Sequence, residues 1–130
     1  MELIVVLIIV GILAVVAVAN YSNSIWQAKV QGVERNLMAI SAAEQKYYED
    51  HGVYYISGNN TDFNGINSSL SLSMGSVNDG FVNYQCTGIP ANLCFASNPS
   101  APPSGQTYKV SVDSSANLTC TYNSLSVICP

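Results

Sequence analysis

The sequence predicts an α+β protein: a long N-terminal α-helix over about residues 2–50, packed against a small antiparallel β-sheet head with two disulfides. Three observations carry this. From Leu3 to Ala19 runs an apolar stretch of seventeen residues, preceded by the lone carboxylate of Glu2. From Trp26 onward apolar residues recur at helical spacing, and from Gly80 onward short segments alternate apolar and polar side chains as half-buried strands do. All four cysteines, Cys86, Cys94, Cys120 and Cys129, fall in that last part.

The helix is argued first. No proline occurs before Pro90, and Gly32 is the only glycine between Gly11 and Gly52. Trp26, Val30, Val33, Leu37 and Ile40 are spaced four, three, four and three, and Tyr47 continues the stripe, with Glu44 as an interruption. That period marks an amphipathic helix with one buried face. Gln27, Lys29, Gln31, Glu34, Arg35 and Asn36 suit its outer face. Gly52, after Glu49, Asp50 and His51, is a helix stop. A helix of this length spans about 70 Å at 1.5 Å per residue. Its first half, residues 1–24, is apolar all round; the head, residues 25–130, takes in the amphipathic half at 25–50 and a sheet region at 80–129.

The apolar run is near the lower limit for spanning a bilayer, which takes about 20 residues. A cleaved signal peptide opens with Lys or Arg. Here the leading charge is negative and no basic residue precedes Lys29, so a membrane anchor is the better expectation. It leaves Glu2 to be explained, because an unpaired charge buried in an apolar medium is costly.

In the head, residues 53–80 are rich in Gly, Asn and Ser and read as loop, with a short helix near Ile66–Leu72. Residues 80–86 and 93–96 read as a strand pair closed by a Thr87–Asn92 loop. Residues 107–112, 118–122 and 125–129 read as a three-strand meander, with turns at 113–116 and 123–124 and with Tyr108, Val110 and Val112 pointing inward. Asn98 to Gly105, with three prolines, reads as an exposed loop.

Composition narrows the function. The formal charge is −4 and no Lys/Arg cluster occurs, so no nucleic-acid partner is expected. Four cysteines, no CxxC and one histidine favour two disulfides over a zinc site and leave no metal or cofactor to expect. Disulfides place the head in an oxidising compartment. Of the three possible pairings, Cys86–Cys94 with Cys120–Cys129 closes the two shortest loops.

The opening residues resemble the N-terminal motif of type IV pilins and the related pseudopilins, usually Phe-Thr-Leu-x-Glu before an apolar run with Gly-Ile-Leu. Glu2-Leu3-Ile4-Val5-Val6 and Gly11-Ile12-Leu13-Ala14 occupy those places. Ala43 to Tyr54 resembles the family's helix end, so the resemblance covers about the first 55 residues. It implies that Met1 is the variable residue before the glutamate, with the mature, methylated N-terminus three residues upstream. It also implies that Glu2 and Gly11 serve assembly, Glu2 pairing with the N-terminal amine of a neighbouring subunit. Many bacterial pilins have a proline where this chain has Ala19, and there the helix can lose its regularity in the filament. Lacking it, this chain has Asn20, Ser22, Asn23 and Ser24 as helix-melting candidates, since Asn and Ser are poorer helix formers than Ala or Leu.

The expected function is therefore structural. The chain is read as the subunit of an extracellular type IV pilus, a homopolymer of identical copies, held in inner-membrane lipid before assembly. Prepilin peptidase and a pilus assembly machine are the partners the resemblance implies. The alternatives are the major pseudopilin of a type II secretion-like apparatus and a membrane-anchored binding module of the periplasm or surface. No enzyme is expected. His51 has no nearby Ser or Cys partner, and Asp62, Asp79 and Asp113 are too scattered for a calcium loop. The sequons at Asn20, Asn59, Asn67 and Asn117 are no more than a Ser/Thr/Asn-rich head yields, and the tyrosines and Trp26 read as core.

Overall fold

A computed structural model of the chain describes residues 2–57, 63–74, 83–101, 106–123 and 125–129, with the backbone alone at 2, 16–20, 22, 23, 99–101 and 106. The elements are α1 (Glu2–His51), α2 (Phe63–Ser69), β1 (Asn83–Ile89), β2 (Asn92–Ala101), β3 (Gln106–Val112), β4 (Leu118–Tyr122) and β5 (Leu125–Val127).

Side chains of α1 are described at 3–15, at 21 and at 24–51, and the two long stretches behave oppositely. In the second, Val30, Val33, Leu37 and Ile40 are fully buried, as their spacing predicts. Burying each contributes about 1.5–3 kcal/mol. Trp26 and Tyr47 flank the same face and are half-buried. Glu44, read from the sequence as an interruption of the stripe, is itself fully buried. The helix ends at His51. Gly52 follows at φ +75° and donates its N–H to Tyr48 O at 2.7 Å, which closes the last turn in a conformation that favours glycine.

The strands form one antiparallel sheet in the order β1-β2-β3-β4-β5. The hairpin and the meander expected from the sequence join through β2 and β3, where Cys94 faces Val112 and Ala96 faces Val110. Tyr84, Cys86, Cys94, Ala96, Tyr108, Val110, Val112 and Cys120 supply the buried face, and α1 packs on it against β2 and β3 while α2 packs against β1. β5 closes one edge, with all three of its residues exposed.

Several boundaries differ from the sequence expectation; the last strand, expected over 125–129, ends at Val127, and the short helix, expected to reach Leu72, ends at Ser69. The loop expected at Thr87–Asn92 shrinks to Pro90 and Ala91, because Gly88 at φ +70° and a register shift between Cys86 and Ile89 turn the chain early. β2 continues to Ala101 through residues expected as loop, accommodated by a second register shift after Asn98. The short helix begins three residues earlier than expected, at Phe63, whose ring lies against that of Tyr84 at 5.2 Å. The turn expected at 113–116 is present, with Asp113 N–H bonded to Asn117 O; of the one expected at 123–124, Ser124 lies outside the described residues, and Asn123 bonds Thr107 through both its N–H and its side chain.

Both disulfides take the pairing that closes the shortest loops, Cys86–Cys94 and Cys120–Cys129. The first links facing positions of β1 and β2; the second fastens the chain beyond β5 to β4.

Candidate assembly site

The first described stretch of α1 has no partner among the described residues. Every large apolar residue from Leu3 to Val15 is between 53% and 79% exposed. A helix that is apolar all round needs an apolar surrounding on all sides. Gly11 sits within this arm, and a Cβ added there would meet nothing within 4 Å, so the space beside it is open to an approaching neighbour. Glu2 is the first helical residue; its side chain lies outside the described residues.

The membrane anchor expected over Leu3–Ala19 includes side chains, at 16–19, that lie outside the described residues. Among the described residues, no helix is long and apolar enough to cross a membrane. The apolar side chains described at this end of α1 run to Val15. The helix-melting candidates lie just beyond. The backbone is helical through Asn20, Ser22, Asn23 and Ser24, and only the Ser24 side chain is among those described.

The head presents a different surface. Beyond Gly52 the segment 53–57 folds back along the end of α1 as a strap. Tyr54 stacks on Tyr48 with ring centroids 4.6 Å apart, and Tyr55 meets the edge of Tyr47 at 5.9 Å. Ile56 bridges to Thr87. Tyr48, Val53, Tyr54, Ile56, Gly88 and Pro90 line an open apolar cleft of about 480 Å³. Sequence reading missed this feature, since its parts come from three separated segments.

Beneath the strap lies Glu44. Its Oε2 accepts the Tyr55 N–H at 2.8 Å, and its Oε1 lies 3.7 Å from Cys94 Sγ. Burial pushes its carboxyl up to about 7, opposed in part by the Tyr55 hydrogen bond. Glu34, ten residues earlier on α1, places Oε1 3.8 Å from Cys120 Sγ, and burial raises it too. Each carboxylate thus backs one disulfide. Glu44 with Cys86 and Cys94, and Glu34 with Cys120 and Cys129, have the composition of metal-ligand clusters, but both cysteine pairs are closed and offer no thiolate.

No protein-family model, no curated protein and no solved structure matches this chain.

The remaining polar contacts are structural. Ser41 Oγ donates to Asp113 O at 3.3 Å and Gln45 Nε2 to Ser114 O at 2.8 Å, tying α1 to the β3–β4 turn. Asp113 accepts from the Ser115 and Asn117 N–H groups and from Asn117 Nδ2, and the Asn117 side chain, first among these bonds, holds its carboxyl below the usual range. Lys109 Nζ lies 3.8 Å over the Phe95 ring on the outer face of the sheet, and burial lowers its ammonium. His51 Nδ1 is 3.1 Å from Tyr47 O and its ring stacks on Tyr47, which makes it part of the helix end. Among the described residues, nothing joins a nucleophile to a base.

Proposed function

We propose that the chain is a structural subunit that polymerises through its N-terminal helix into an extracellular type IV pilus-like filament. The observation that carries this reading is the arm from Leu3 to Val15, apolar on every side and unpartnered, set on a helix whose other end is buried in a disulfide-stapled head. Bundled arms of many copies cover that surface, and heads with few charges pack around them. α1 then acts as one rod of about 50 residues, filament core at one end and head scaffold at the other. Before assembly the arm rests in inner-membrane lipid, from which an assembly machine withdraws it after processing by prepilin peptidase.

Moving the arm from lipid to a bundle exchanges one apolar medium for another, so hydrophobicity does not choose a register. Glu2 does. Its carboxylate gains a partner in the N-terminal amine of a neighbour, and an ion pair in a low-dielectric core is far better than a lone charge there. Gly11 leaves room for the neighbouring arm.

Electron microscopy of sheared surface material, with sequencing of the filament protein, tests the reading. Filaments made of this chain are expected, and Glu2→Gln should leave membrane-associated protein with few of them. A chain that stays monomeric, with the Glu2 change tolerated, would instead be an anchored binding module.

A further inference from the structure

Glu44 has a second consequence, independent of polymerisation. Its side chain is fully buried, and the contacts it makes among the described residues are with uncharged groups. From β1 and β2 it meets the Cys86–Cys94 disulfide, which does not titrate; from the strap it meets the Tyr55 amide. On its own helix Lys46, Glu49, Asp50 and His51 are exposed. Lys109 lies over Phe95 on the outer face of the sheet, and Asp113 is engaged by Asn117. α2 carries no charged residue.

The sulfur contact defines the protonation state that fits this cage. A disulfide sulfur has no hydrogen, so the 3.7 Å approach of Glu44 Oε1 to Cys94 Sγ is a hydrogen bond only when the carboxyl supplies the proton. The neutral acid then satisfies both oxygens: O–H toward sulfur on one side, the Tyr55 N–H on the other. Without its proton the group keeps one donor and turns a charge toward sulfur lone pairs.

We propose that Glu44 is a proton-operated latch on the strap 53–57, closed when the carboxyl is protonated and released when it is not. Release lets the carboxylate reach water and detaches Tyr55 from α1. It also loosens the neighbouring contacts that shape the apolar cleft, the Tyr48–Tyr54 stack and the Ile56–Thr87 bridge. The head is thus tight in mildly acidic surroundings and opens its cleft above neutrality, in agreement with the carboxyl's displacement to about 7.

Amide hydrogen exchange of the full chain in detergent micelles, read at Tyr55 and Ser57 and corrected for intrinsic rates, tests the latch. Between about pH 6 and about pH 8 the Tyr55 protection factor should fall about tenfold, as expected when the open state titrates normally. In Glu44→Gln it should be flat. A flat native profile, or an equal fall in Glu44→Gln, would overturn the latch. Should that variant not fold, the carboxyl carbon shift of Glu44 in the native chain decides: a midpoint near neutrality supports it, and one at the ordinary value of about 4.3 overturns it. Neither result depends on whether the chain forms filaments.

Discussion

Ser57 and Cys86 are joined three times: the Ser57 N–H donates to Cys86 O at 3.1 Å, Ser57 Oγ accepts the Cys86 N–H at 2.8 Å, and the same hydroxyl donates to Cys86 O at 3.3 Å. Both residues are buried, so the pair fastens the strap to β1 where water cannot replace a lost bond. Ser57→Ala keeps the backbone bond but leaves the Cys86 N–H unpaired. A destabilisation of about 1–3 kcal/mol is expected, seen as a lower urea midpoint at unchanged slope.

Gly88 has two reasons to be glycine. Its φ is +70°, and a Cβ there would lie 2.7 Å from Ile56 Cγ1. Gly88→Ala should lose about 1–3 kcal/mol, part from the backbone and part from the collision. Placed in an Ile56→Ala background, the same change should lose less, because only the backbone part remains. A double-mutant cycle on thermal unfolding measures the difference. Simple additivity would mean that the strap moves aside without resistance.

Stability should peak at mildly acidic pH, and the sign follows from two carboxyls. Glu44 binds its proton more tightly folded than unfolded, so its contribution is complete below about 4.5 and is lost as pH rises through about 7. The loss amounts to up to about 3 kcal/mol. Glu34, raised by burial, adds in the same direction. Asp113 is held low, so its contribution is complete above about 3.8 and is lost as pH falls. Denaturant midpoints measured against pH should therefore decline on both sides of about pH 4–5. Glu44→Gln should shrink the alkaline decline to the part that Glu34 supplies and spare the acid one.

Opening Cys120–Cys129 should cost about 2–3 kcal/mol, from the chain entropy released in a loop with a sequence separation of 9. The Cys120→Ser/Cys129→Ser chain should also lose amide protection first at Leu125–Val127, since β5 pairs only with β4. Hydrogen exchange by residue separates this local release from general loosening.

What the sequence made legible was periodic. The stripe Val30, Val33, Leu37 and Ile40 and the alternation of Tyr108, Val110 and Val112 are both buried as their spacing demands, because one face of each must leave water. The cysteine pairing was legible because short loops close most readily. What stayed hidden depends on contacts between distant segments. Glu44 broke the stripe by residue type yet keeps its geometric place, and only the return of Tyr55 and the disulfide make that place tolerable. The extension of β2 was hidden too, because its residues read locally as loop while pairing with β3 holds them in a strand. Nothing among the described residues covers the arm from Leu3 to Val15.

One feature of the sheet bears on crowding. A strand with a free side is a template on which other polypeptides condense. β5 is three residues long, and the disulfide just past it pins the chain to β4 before the strand can lengthen. Leu125, Val127 and Ile128 can touch neighbours there, but there is too little backbone to zip. At this edge the head is a poor seed for aggregation.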